Sequence, residues 1–253
     1  MHARLITLAM LTCCVLACPT EEEPPPPEPI CTEPTEPPCR DETLASIDVN
    51  PTEVGEGAIE NAARDAGGFD SYIDATAGGF GGDGAYVYAR FTDDGLEKVE
   101  ITDDDSFGSM DWDIGFRRFV IRLNGGDSGP SCVGAANIGL STPFDEVDAV
   151  PDDADFQLDD FMNGSCELVP DGSGLPTAPG VILQNFWAYT PENCLGMTGN
   201  TYLIQLADAR VVKLVVTQYY DPAEAQQACE DGEFGDFDGA ESGNVHLWWA
   251  FVE

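Results

Sequence analysis

The stretch Asp111-Trp112-Asp113-Ile114-Gly115-Phe116-Arg117-Arg118-Phe119-Val120-Ile121-Arg122-Leu123-Asn124-Gly125-Gly126 constrains the fold more than any other part of the chain. Trp112, Ile114 and Phe116 fall on alternate positions, the period of a strand with one buried face, and the run ends in a Gly-Gly turn. Ahead of it, Tyr86-Val87-Tyr88-Ala89-Arg90-Phe91 and Leu96-Glu97-Lys98-Val99-Glu100-Ile101 read as two further strands joined by the turn Asp93-Asp94-Gly95. Residues 180–187 and 245–251 add strand candidates, residues 47–49 a short one, and residues 58–64 a helical turn. Many short strands with Gly, Pro, Asn and Asp between them, and almost no amphipathic helix, predict an all-β domain over residues 44–253. Its long loops, 127–179 and 221–243, are where a rigid sheet would carry binding.

The first 43 residues are of another kind. Residues 1–18 hold one base, Arg4, no acid, and an apolar run from Leu5 to Leu16, the pattern of a secretory signal peptide over residues 1–17. The run ends Val15-Leu16-Ala17-Cys18, which fits a lipobox with Cys18 as the acylated residue. Residues 18–43 are rich in Pro, Glu and Thr. Such a composition buries too little apolar surface to fold, and it reads as an extended acidic tether. Pro19 after Cys18 is not the aspartate that retains lipoproteins in an inner membrane, so the expected address is the outer membrane or surface of a Gram-negative cell.

All 47 acids lie beyond the signal, against nine of the ten bases. That balance excludes nucleic acid and anionic lipid as partners. Six cysteines follow Cys18, an even number that implies disulfides in an exported chain, with fifteen possible connectivities. Nearness in the tether suggests Cys31–Cys39, and the expectation for the rest is Cys132–Cys166 and Cys194–Cys229.

Residues 86–126 resemble the HmuY family of haem-binding bacterial lipoproteins. The likeness rests on Trp112-Asp113-Ile114-Gly115-Phe116-Arg117-Arg118-Phe119-Val120-Ile121 followed by Asn124-Gly125-Gly126. A second block looks like the family's late hairpin: Tyr202-Leu203-Ile204-Gln205-Leu206 followed by Val211-Val212-Lys213-Leu214-Val215-Val216-Thr217-Gln218-Tyr219-Tyr220. The resemblance implies a surface lipoprotein that captures haem, from solution or from a haem-carrying protein, and passes it to an outer-membrane uptake receptor. Past the signal the chain keeps a single histidine, His246, so a bis-histidine site is excluded. Methionine is the other neutral ligand haem iron accepts. Met162 and Met197 lie in segments comparable to those that hold the family's ligands, and Arg117, Arg118 and Arg122 are the expected propionate contacts.

Enzyme signatures are missing. There is no Gly-x-Ser-x-Gly, no spare histidine for a triad, and every cysteine has a disulfide to make. Calcium has weak support from Asp103-Asp104-Asp105 and from Asp236-Phe237-Asp238-Gly239-Ala240-Glu241, neither of which fits an EF-hand loop. The alternative to haem capture is an envelope lipoprotein of the same fold that binds a protein, a glycan or calcium, or is structural.

Overall fold

A computed structural model describes residues 27–47, 49–79, 84–139, 142–175 and 177–252, and of Asp236 only the backbone. The expected signal peptide (1–17), the lipidation site Cys18 and the first part of the tether lie outside the described residues.

Strands β1 (Ile59–Ala63), β2 (Phe69–Asp74), β3 (Val87–Thr92), β4 (Gly95–Val99), β5 (Ile114–Arg117) and β6 (Val120–Leu123) fill the first half. Then come β7 (Gly134–Gly139), β8 (Trp187–Tyr189), β9 (Leu195–Met197), β10 (Thr201–Gln205), β11 (Val211–Asp221) and β12 (Glu241–Val252). Three short helices, α1 (Arg40–Ser46), α2 (Asp103–Ser106) and α3 (Ala223–Asp231), lie between them. A six-stranded sheet runs β1-β2-β12-β11-β10-β7 and a four-stranded sheet runs β4-β3-β5-β6; β8 and β9 form a ribbon of their own. Every pairing among them is antiparallel.

The principal core draws on both large sheets. Val87, Ala89, Phe91, Ile114, Phe116, Ile121 and Leu123 from the smaller sheet meet Ile73, Tyr202, Ile204, Val212, Leu214, Leu247 and Trp249 from the larger. Side chains alternate across a strand, so the smaller sheet has a second face. Tyr88, Val120 and Arg122 lie on it, and Tyr86 and Trp112 join them. That face is covered by Ile47 and Val49 and by the loop residues Phe161, Met162 and Val181.

Several expectations are corrected. The organising stretch is a hairpin, not one strand: Arg117 pairs with Val120, and Arg118-Phe119 make the turn. Two-residue hairpin loops need positive φ, normally from Gly or Asn. Here Arg118 takes φ 50°, held by its N–H to Ala75 O (2.8 Å) and its Nη2 to Ser242 Oγ (2.8 Å). Residues 58–64 contain the edge strand β1 rather than a helical turn; most of its side chains are exposed, which erases the strand alternation. Residues 182–186 form a 3-10 turn, and only Trp187 begins a strand. Of the short strand expected at 47–49, Ile47 instead ends α1, its N–H bonded to Thr43 O, Val49 is in no strand, and Asp48 lies outside the described residues.

The disulfides are Cys31–Cys132, Cys39–Cys166 and Cys194–Cys229. Cys31 therefore does not pair with Cys39, nor Cys132 with Cys166. Eight residues of extended, proline-bearing chain would hold Cys31 and Cys39 about 25 Å apart, and the segment lies along the domain instead. Ile30 N–H bonds Ala207 O (2.8 Å) and Thr35 N–H bonds Pro130 O (2.7 Å). From Cys31 onward the expected tether is a strap, stapled to Cys132 just ahead of β7 and to Cys166 in the long loop that follows it.

Candidate functional site

The three arginines of the organising block turn inward. Arg122 is fully buried on the outer face of the smaller sheet, opposite Gly115, which in turn pairs with Tyr88. Its guanidinium stands 4.3 Å from the Tyr86 ring and 5.2 Å from that of Phe107, a cation over aromatic faces. Nη2 donates to Tyr88 Oη (2.5 Å), and that hydroxyl donates to Asp103 Oδ1 (2.8 Å). Asp103 also accepts from the N–H groups of Tyr86 (3.0 Å) and Asn50 (3.0 Å). Burial raises the Asp103 carboxyl and, further, the Tyr88 phenol above their ordinary pKa values. Arg117 donates to Ile47 O (3.1 Å) and Arg118 to Ser242; both are buried. All three lie in the core rather than on the surface, so their placement lends no support to the propionate clamp that the sequence suggested.

Met162 belongs to the same covered face. It is 7% exposed, its N–H donates to Asp127 Oδ2 (2.7 Å), and it bridges to Leu168 under the Cys39–Cys166 staple. Met197 lies elsewhere, packed against the principal core. The two methionines are not in one buried cluster.

Met197 does line a cleft. It ends β9, pairs across the ribbon with Trp187, and faces Phe144, Val215, Thr217 and Trp248 around a cavity of about 450 Å³. Val215 and Thr217 come from β11, Trp248 from β12, and Phe144 and Asp145 from the 3-10 turn Phe144–Glu146. The methionine's strand is fixed firmly. Cys194–Cys229 clips it to α3, Tyr220 Oη accepts the Leu195 N–H (3.0 Å), Gln226 Nε2 donates to Leu195 O (3.1 Å), and Thr198 N–H bonds Phe186 O (3.0 Å).

Cations flank the aromatic wall. Arg64 stacks 4.3 Å from Trp248 and 4.9 Å from Phe144, pairs with Asp145 at 3.1 Å, and keeps Nη1 buried without a hydrogen-bond partner. Lys213 Nζ lies 4.9 Å from the Phe144 ring centroid and donates to Val147 O (2.8 Å). Sequence reasoning missed Arg64 because it sits in a stretch read as a helical turn. His246, two residues from Trp248, rests against Tyr72 with Nδ1 3.6 Å from Asp70.

The acidic run Asp103-Asp104-Asp105 has structural tasks, while of the second run, residues 236–241, the Asp236 side chain lies outside what is described. Asp103 is the hub described above, Asp104 pairs with Arg40, and Asp105 caps α2 with Thr102. Among the described residues no three His, Cys, Asp or Glu side chains converge as a metal site, so calcium gains no support.

The architecture is thus a two-sheet antiparallel β domain with an apolar, thioether-bearing cleft on the outer face of its larger sheet. The chain belongs to the HmuY family: residues 84–230, from the approach to β3 through most of α3, match the family described as HmuY protein. No curated protein matches the chain. Among solved structures it is similar to a Bacteroides fragilis protein named as a lipoprotein, with 12% identity, TM-score 0.46, and 75% of this chain and 91% of that one covered. It is similar also to a Bacteroides vulgatus protein named as HmuY-like and heme-binding, at 14% identity and TM-score 0.43, covering 71% of this chain and 89% of that one. A third is the apo HmuY analog of Tannerella forsythia, at 15% identity and TM-score 0.39, covering 79% and 98%.

Proposed function

We propose that this chain binds haem or a related porphyrin in the Met197 cleft and serves as an exported, lipid-anchored protein that captures haem for uptake. The family match over residues 84–230 carries this reading. The cleft supports it: its volume of about 450 Å³ lies within the roughly 300–1,000 Å³ usual for small-molecule sites. Haem, when bound, supplies iron coordination and a flat apolar ring. The Met197 thioether would be a neutral donor of the kind haem iron accepts. Phe144 and Trp248 offer ring-sized apolar walls. Arg64, stacked on Phe144 and Trp248, and Lys213, beside Phe144, are the cations next to these walls and are offered for the propionates in place of Arg117, Arg118 and Arg122, which are buried in the core. Anchoring through Cys18 follows from the lipobox. Among the described residues no helix is long and apolar enough to cross a membrane. The test is a haem titration of residues 19–253 followed by absorption. A saturable one-to-one Soret shift is expected, and a response no larger than that of an unrelated acidic protein would leave the cleft to another ligand.

A further inference from the structure

The chain contains two Asn-Gly pairs, Asn124-Gly125 and Asn163-Gly164, and they meet opposite surroundings. Asparagine before glycine is the pair in which the next main-chain nitrogen most readily reaches the side-chain amide, because glycine sets no Cβ beside that nitrogen. Asn124 is fully buried. Its Nδ2 donates to Trp112 O (2.7 Å) and Ser109 O (3.0 Å), and the Gly125 N–H donates to Leu123 O (2.8 Å). Both nitrogens are engaged, and the amide is out of reach of water.

Asn163 and Gly164 are both exposed, in the turn between the bridged residues Met162 and Leu168. The Asn163 Oδ1 accepts from the N–H groups of Ser165 (2.8 Å) and Glu167 (3.1 Å). The first bond is an Asx turn: it folds the side-chain amide back over the intervening peptide, whose nitrogen belongs to Gly164. Two N–H donors on one amide oxygen also stabilise negative charge that develops there. Nδ2 donates to Glu167 Oε2 (2.9 Å), which fixes the orientation of the amide. Among the described residues no group accepts from the Gly164 N–H, and a Cβ at Gly164 would meet nothing within 4 Å. The turn itself is closed by Asn163 N–H to Glu167 O (3.0 Å), by Cys166 N–H to Asn163 O (2.8 Å) and by the Cys39–Cys166 disulfide.

We propose that Asn163 is a site of self-modification, whose conversion loosens the turn that carries Cys166. The Gly164 nitrogen attacks Cγ of Asn163 and forms the C–N bond of a succinimide ring, a reaction favoured by holding the two groups together. The bond from Cγ to Nδ2 breaks, and Nδ2 leaves as ammonia with the proton that the Gly164 nitrogen gives up. Water then opens the ring at one carbonyl to give aspartate, or at the other to give isoaspartate. Either product sets a carboxylate against Glu167 Oε2, where the amide had donated, so attraction becomes repulsion. The site is separate from the Met197 cleft, which neither Asn163 nor Gly164 lines.

The experiment incubates residues 19–253, disulfides intact, at mildly alkaline pH beside a synthetic peptide of residues 159–170 with Cys166→Ser. Conversion is followed by mass spectrometry of the fragment ending at Glu167 and by labelling with an isoaspartate methyltransferase. Asn163 should lose its amide faster in the folded chain than in the peptide, while Asn124 keeps its own. Gly164→Ala, for which the turn has room, should slow the loss at least about tenfold. Conversion no faster than in the peptide, equal loss at Asn124, or an unchanged rate in Gly164→Ala would overturn the modification site. In the converted chain, hydrogen exchange at the Met162 amide should quicken, and unchanged exchange would overturn the loosening.

Discussion

The two faces of the four-stranded sheet are both buried, but by different means. The inner face offers Val87, Ala89, Ile114, Phe116, Ile121 and Leu123 to the larger sheet. Its stability is that of apolar area removed from water and of close packing. The outer face carries Arg122, Tyr88 and Asp103 in a hydrogen-bonded chain under a lid made from the N-terminal strap and residues 159–181. Such a face cannot be held by the hydrophobic effect alone, because each buried polar group must keep its partner or lose free energy. The Cys39–Cys166 disulfide fastens that lid. One sheet thus shows where a β domain closes unaided and where it needs a covalent staple.

The largest test of this contrast is Phe116→Ala, inside the dry face. It should cost about 3–5 kcal/mol by urea denaturation, with the pH dependence of stability between 4 and 7 unchanged. A cost near that of a surface substitution would break the assignment of the inner face as the main source of stability.

Removing the staple with Cys39→Ser/Cys166→Ser should cost about 2–4 kcal/mol. Hydrogen exchange should quicken at the outer-face amides of Tyr86 and Asp103 well before those of Ile204 and Leu214. Uniform acceleration through both clusters would mean that the strap stabilises the whole domain rather than one face.

A third effect is pH-dependent. Burial pushes the Asp113 carboxyl up to about 6, and raises those of Asp103 and Asp159. A folded pKa above the unfolded one means the folded chain holds more protons in that window. The contribution is complete below the unfolded pKa of about 4 and is lost as pH rises through the folded value. Asp113 accounts for about 2–3 kcal/mol of this loss. Asp113→Asn, which keeps an acceptor for the Phe91 N–H, should flatten the stability profile by that amount. An unchanged profile would contradict the shift.

The smallest effect is expected at Gly115. A Cβ there would stand 3.0 Å from two atoms of the Tyr88 ring. Gly115→Ala should cost about 1 kcal/mol and loosen the Arg122–Tyr88 contact, visible as a change in tyrosine fluorescence.

Much of the sheet was legible in the sequence. Trp112, Ile114 and Phe116 announce burial by their spacing, and Asp93-Asp94-Gly95 announces a turn, with Gly95 at φ 134°. What was hidden has physical causes. Arg118 makes a turn that no glycine signals, because its strain is offset by Ala75 and Ser242 rather than by its own backbone freedom. Cys31 and Cys39 were matched by nearness, but disulfides follow where the chain runs in space, and this strap runs along the domain. Of the site, Met197 was legible as a thioether ahead of the late hairpin. Its setting was not, since Phe144 and Arg64 come from distant segments that meet only across the larger sheet.

The two methionines bring the comparison to function: Met162 belongs to the stapled face and Met197 to an open cleft. The decisive measurement is haem titration of Met197→Ala and Met162→Ala side by side, followed in the Soret region in both oxidation states. The cleft reading predicts that Met197→Ala weakens binding at least about tenfold and shifts the band, while Met162→Ala leaves both unchanged at matched folding. Loss in Met162→Ala with full binding in Met197→Ala would contradict it.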